Sequence, residues 1–213
     1  MHLNRRFAYV AFISLTLSIA LSIMLSVIGI EQLTLANPPS KPNLISLARE
    51  GCDGGFSEEI RVGGQVVNPK TFTLADLQSL PPEEVQVNYI TMQGPESHTY
   101  VGVPLWTLIQ LAGGLKPNPD LTVNNNSIRQ YIALDATNCY QVVVGVGEVD
   151  PDYEGKQVLV AYATKDDPSE APQLLGDRGF ARLVVPGDKR GGRYIFNIRR
   201  ISVFYSPFSR YQL

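Results

Sequence analysis

This 213-residue sequence predicts an α+β domain built on a mixed sheet, and three observations lead there. Short stretches that alternate apolar and polar residues outnumber helical ones. The helical stretches are brief, each stopped by proline or glycine. They are also too few to link successive strands in a regular βαβ series. Once an N-terminal apolar segment is set aside, roughly 175 residues remain, a length suited to a single domain with its own core.

Along the chain, Asn4-Arg5-Arg6 precedes an uncharged apolar stretch over residues 7–30, then Glu31 and Thr34-Leu35-Ala36. About two dozen apolar residues can span a bilayer, and the small residues Thr34 and Ala36 suit a cleavage site. Residues 1–36 are therefore a cleaved export signal or an uncleaved membrane anchor, and both options stay open. Either way the positive-inside rule sends the rest of the chain across the membrane, to the periplasm or the extracytoplasmic face. Residues 37–57, with Pro38, Pro39 and Pro42, are a linker. The domain is expected over 58–205, with a tail at 206–213.

Within the domain, a strand is expected at 60–63. Thr73-Leu74-Ala75-Asp76 has the form of a capping box, and Leu74, Leu77 and Leu80 mark a short helix that Pro81-Pro82 stops. A strand follows at 85–91. Pro104 suits a first helical turn, Leu105, Leu108, Ile109 and Ala112 share one face, and Gly113-Gly114 is the exit. Further strands are expected at 130–134, 140–146, 158–163, 182–185 and 198–204. Residues 173–180 are expected as loop, with Arg178 on its rim. Trp106 is expected to pack against the core rather than serve as a stacking platform.

The formal net charge is −2, yet cations crowd the C-terminal stretch from Arg178 to Arg210. A mildly acidic chain of this kind does not suit nonspecific nucleic-acid binding, which wants a basic domain. It does suit one small anion. Pro186-Gly187 ends an apolar run, and Lys189, Arg190 and Arg193 then surround Gly191-Gly192. Paired glycines let backbone N–H groups turn toward a ligand, and guanidinium matches the oxygens of phosphate or carboxylate. Asp188 is the one carboxylate close by in sequence, so these cations are expected to stay unpaired. Residues 182–193 are thus the expected anion site, with a solvated turn as the plain alternative.

His98 lies in the polar stretch Glu96-Ser97-His98-Thr99-Tyr100, read as a turn, where it is either a solvated side chain or a ligand-facing acid. Cys52 and Cys139 are the two cysteines. In an exported domain they favour a disulfide, with buried or independent thiols as the alternatives. No His-x-x-His or Cys-x-x-Cys spacing is present. The acidic turns around Asp150 to Glu154 and Lys165 to Pro168 lack an EF-hand pattern and are expected as solvated loops.

Four segments in succession carry a family resemblance. They are Gly63-Gly64-Gln65-Val66-Val67-Asn68-Pro69 with Phe72-Thr73-Leu74-Ala75-Asp76-Leu77; Gly102-Val103-Pro104-Leu105 with Leu111-Ala112-Gly113; Arg182-Leu183-Val184-Val185-Pro186-Gly187; and residues 198–203. In this order they resemble the oxidoreductase molybdopterin-binding domain of the sulfite oxidase type, over residues 58–204. The resemblance implies a compact mixed α/β fold and a molybdopterin in a cleft. Its phosphate would be held by Arg182, Lys189, Arg190, Gly191, Gly192 and Arg193, with His98 near the reacting centre. In catalytic members a cysteine thiolate after the strand at 85–91 ligates molybdenum. This chain has Thr91-Met92-Gln93-Gly94-Pro95 there, and a neutral thioether such as Met92 does not replace a thiolate on a high-valent metal. The missing ligand argues against molybdenum while leaving the pterin open. Two functions follow: an exported or membrane-anchored molybdopterin oxidoreductase, or a non-catalytic module of the same fold that binds another small anion or a partner protein.

Overall fold

The computed structural model describes residues 51–117, 127–176 and 179–206. The apolar segment 7–30, most of the linker, Arg178 and most of the C-terminal tail lie outside the described residues. Among the described residues no helix is long and apolar enough to cross a membrane.

Two five-stranded sheets form the domain. Sheet I runs β2 (Lys70–Thr73), β1 (Glu59–Gly64), β10 (Ile198–Tyr205), β5 (Gln130–Ala136), β6 (Gln141–Gly145). It is the mixed sheet: β1 and β10 are parallel and the other pairs antiparallel. Sheet II is antiparallel and runs β3 (Glu83–Thr91), β4 (Gly94–Pro104), β7 (Leu159–Thr164), β8 (Gln173–Leu174), with β9 (Arg182–Val184) also paired to β7.

Among the described residues three short α-helices punctuate the strands. The first, α1 (Leu74–Gln78), opens on a complete capping box, with the Asp76 carboxylate accepting from the Thr73 N–H at 2.8 Å. After it come α2 (Leu105–Leu111) and α3 (Val146–Val149). The last ends the strand expected at 140–146 one residue early, because the Glu148 carboxylate takes the Gly145 N–H and turns the chain.

Strand β4 is the large departure from the expected elements. Its polar stretch 96–100 is not a turn but the middle of an 11-residue strand, zipped to β3 from Gly94 to Gly102. The turn lies earlier, at Thr91-Met92-Gln93-Gly94, the tip of a hairpin where Met92 is 98% exposed. Strands β2 and β8 were also too short to stand out from sequence, β8 falling inside the stretch expected as loop.

Alternation along β7 fixes the layering. Val160 and Tyr162 enter the main core with Ile60, Ile132, Leu134, Ile201 and the α2 residues Leu105, Leu108 and Ile109. Leu159 and Ala161 face the opposite way and join Val85, Val87, Tyr89, Tyr100, Val184 and Tyr194 in a second cluster. Trp106 packs at the edge of the main core, as its helical position implied. Arg182 shares its face with Val184, so β9 carries a cation into the second cluster.

Candidate functional site

Arg182 is 7% exposed. Its guanidinium carbon lies 5.4, 5.8 and 6.0 Å from the ring centres of Tyr100, Tyr194 and Tyr89. The first two distances are within cation–π range and the third is at its limit. Ring faces attract the cation but do not accept its N–H groups in the plane of the fork. Only Nη2 finds an acceptor, the Tyr89 hydroxyl at 3.4 Å, while Nε and Nη1 are buried without a partner. No carboxylate among the described residues pairs with it. A buried, unpaired charge with two orphan donors costs several kcal/mol in a bare interior, of order 1–3 for each unmet donor.

The three tyrosines come from different elements. Strand register puts Tyr89 opposite Glu96, Val87 opposite His98 and Val85 opposite Tyr100, so all six side chains share one face of the β3–β4 hairpin. Tyr194 stacks on Tyr89 with ring centres 4.3 Å apart, and its hydroxyl donates to the Val185 carbonyl at 3.0 Å. Burial, with Asp188 nearby, pushes the Tyr194 phenol up to about 12. Burial and the Tyr100 hydrogen bond push the Tyr89 phenol higher still, against the opposing pull of Arg182. Both phenols are therefore neutral and keep their protons.

A hydrogen-bonded row leads from this cage to the surface. The Tyr89 hydroxyl donates to Glu96 Oε2 at 2.9 Å; having one proton, it accepts from Tyr100 at 3.0 Å and from Arg182. Thr91 donates to the other Glu96 oxygen at 2.9 Å. Burial works against the Glu96 carboxylate, but the bonds from Tyr89 and Thr91 and the adjacent His98 outweigh it and hold the carboxyl below its ordinary range. His98 bridges Glu96, 3.4 Å from Nε2, and Asp166, 3.0 Å from Nδ1. His98 is thus a strand residue between two carboxylates, not a turn residue, and Asp166 reaches it from an exposed loop, as expected for that stretch.

The expected anion loop takes a different form from the one its charges suggested. Gly187 has φ +88°, the left-handed conformation that lets the chain leave β9 sharply. A backbone bond from Ile90 N to the Lys189 carbonyl, 3.1 Å, then ties the loop to the end of β3. Arg193 is not free. Nε and Nη2 form a fork onto Asp188 at 2.8 and 2.7 Å, and Nη1 reaches both Glu148 oxygens at 3.1 and 3.3 Å. The expectation of unpaired cations fails at Arg193 because Glu148, remote in sequence, comes back beside it on α3. Lys189 and Arg190 are exposed and pair with no carboxylate among the described residues. Gly191 is packed on the Tyr89 ring, while Gly192 is exposed and is tied down only by its carbonyl, which accepts from the Tyr140 hydroxyl at 2.9 Å.

Two clefts flank the cage. One of about 420 Å³ is lined by Tyr89, Glu96, Ser97 and Lys189. The other, about 200 Å³, is lined by Asn138, Tyr140, Gly191, Gly192, Tyr194 and Phe196. The stacked Tyr89–Tyr194 pair stands between them with Arg182 beside it. Arg182 is a sequence-predicted site residue, whereas Tyr89, Tyr100, Glu96 and Tyr194 around it are not. The alternations Val85-x-Val87-x-Tyr89 and Glu96-x-His98-x-Tyr100 are the signal that places them on one face.

Cys52 and Cys139 form a disulfide, with Cα atoms 5.0 Å apart. Neither cysteine of the chain is then available as a thiolate. The segment that would supply a molybdenum ligand is the exposed hairpin tip. A thiolate-held molybdenum centre does not fit these residues, and no group of three or more His, Cys, Asp or Glu side chains among the described residues could hold another metal.

No protein-family model and no curated protein sequence matches the chain. Its fold is similar to a solved structure, the sulfane dehydrogenase SoxCD from Paracoccus pantotrophus. The TM-score is 0.53, at 22% identity over 70% of this chain. The matched part is 38% of that SoxCD chain, so the chain spans well under half of the larger protein. At this identity the likeness shows the fold: β-rich, mixed and poor in helix.

Proposed function

We propose that this chain is a non-catalytic binding module of the sulfite-oxidase-type fold, which holds a small oxyanion, or the anionic group of a pterin, against Arg182. The carrying observation is the buried guanidinium with two donors unmet. An anion there supplies both the missing acceptors and the missing charge, which water supplies only in part. Tyr89 and Tyr100 add hydroxyls beside it, and the tyrosine rings exclude solvent. We further propose that the domain is exported and is released or stays anchored through residues 7–30. The disulfide supports an oxidising compartment.

The oxidoreductase reading rests on the likeness to SoxCD and on the resemblance of the four segments, both of which speak to fold. Against it stands the absence of any thiolate. Molybdenum and pterin assays on protein purified from its native compartment separate the two readings. The module reading expects molybdenum far below one atom per chain; stoichiometric metal would establish the oxidoreductase instead. For location, a reporter fused after Leu213 should be active only beyond the membrane, and cytosolic activity would defeat export.

A further inference from the structure

Cys139 of this disulfide sits in a setting that a purely structural cross-link does not need. Cys139 is exposed and sits at φ 61°, in the left-handed region that residues other than glycine seldom adopt. Arg199 Nη2 lies 3.2 Å from its sulfur, and Nη1 of the same guanidinium donates to the Gly51 carbonyl. Arg199 makes no ion pair with a carboxylate among the described residues, so its charge acts on the sulfur without local neutralisation. A cation at this distance lowers a thiol's pKa, and a lower-pKa thiol leaves faster from a disulfide.

We infer that Cys52–Cys139 is an exchange site for a dithiol reductant, opened by attack at Cys52 with Cys139 as the leaving group. One thiolate of the dithiol bonds to Cys52 Sγ as the Cys52–Cys139 bond breaks, and the electron pair departs on Cys139 Sγ beside Arg199. The second thiol of the reductant, after losing its proton, attacks its own sulfur in the mixed disulfide and closes a ring. Cys52 leaves and takes up one proton; Cys139 stays a thiolate and the other proton goes to solvent. The protein disulfide gains two electrons and the dithiol loses two.

The consequence is a released strap. Besides the disulfide, the bonds on residues 51–57 include Arg199 on Gly51, Gly54 N to the Thr137 carbonyl at 3.3 Å, Thr137 Oγ1 to the Gly55 carbonyl at 2.8 Å, and Ser57 N to Asn197 Oδ1 at 3.3 Å. Phe56 and Ser57 on this strap wall an apolar cleft of about 260 Å³ together with Leu74, Leu174 and Phe180. Exchange at the sulfur therefore controls how firmly one wall of that cleft is held.

The test uses the full chain, oxidised, with dithiothreitol as the dithiol and no denaturant; opened thiols are trapped by iodoacetamide and counted by mass. Opening is expected to be first order in dithiothreitol and insensitive to low urea. It should slow about tenfold in Arg199→Leu and recover partly in Arg199→Lys. In Cys52→Ser, alkylation of the remaining Cys139 should have its pH midpoint below the ordinary thiol value of about 8.5, and adding Arg199→Leu should raise it. Opening only at the rate of global unfolding overturns the inference, as does a Cys139 midpoint at or above 8.5. If the Arg199 variants do not fold, the urea dependence of the wild type and the Cys52→Ser midpoint still decide.

Discussion

Arg182 and Arg193 belong to one short basic stretch, yet their surroundings are opposite. Arg193 is bonded out by two carboxylates at the domain edge, while Arg182 is buried among tyrosines with most of its donors unmet. A cluster of cations in sequence thus says little about which one is a receptor. What decides is where the carboxylates return in space: Glu148 comes back to Arg193, and the nearest carboxylate of the Arg182 row, Glu96, stops one hydroxyl short of it.

The contrast predicts opposite signs for two matched substitutions. Arg193→Met leaves Asp188 and Glu148 facing each other without their shared cation. All three side chains are 19–29% exposed, which tempers the cost to about 2–3 kcal/mol in urea unfolding. Arg182→Met keeps the apolar contacts of the cage and removes an uncompensated charge. Stability should be unchanged or higher by about 1–2 kcal/mol. A loss above about 2 kcal/mol would mean that the charge is already compensated in the free protein.

A smaller effect sharpens the role of the loop as a cover on the cage. A Cβ at Gly191 would stand 3.1 Å from Tyr89 Cδ2 and 3.2 Å from Cε2, tighter than normal contact. Gly191→Ala should therefore cost about 1 kcal/mol and shift the tyrosine fluorescence, since the ring must give way. The same change at Gly192, where an added Cβ would meet nothing within 4 Å, should be close to neutral.

The smallest effect is in acid. Burial raises the Glu148 carboxyl, but the Gly145 N–H, Arg193 and Lys156 outweigh it and leave it below its ordinary value. The folded state thus takes up this proton less readily than the unfolded one. The associated stability is present above the ordinary glutamate pKa of about 4.3 and is lost as pH falls through the folded value. Between pH 6 and 3 the wild type should lose more stability than Glu148→Gln; equal losses would assign the acid sensitivity elsewhere.

Much of the scaffold was legible because its signals are local. The capping box at Thr73, the Pro104 helix start and the apolar runs of β5, β7 and β10 each declare themselves within a few residues. Strand β4 did not, since proline, glycine and a polar middle all speak for a turn, and only pairing to β3 on one side and β7 on the other makes it a strand. Of the candidate site, Arg182 was named from sequence without the tyrosines around it, and the expectation of an unpaired Arg193 fails on Glu148. All three cases turn on partners far away in sequence: Asp166 for His98, Glu148 for Arg193 and Tyr89 for Arg182.

Calorimetric titration with inorganic phosphate and with sulfate, run on the wild type, Arg182→Met and Arg193→Met at fixed ionic strength, tests the assignment of the receptor most directly. Binding is expected in the wild type, to persist within a few-fold in folded Arg193→Met, and to fall at least tenfold in Arg182→Met, as loss of a hydrogen-bonded charge requires. Binding that survives in Arg182→Met, or that vanishes with Arg193 alone, would contradict the account.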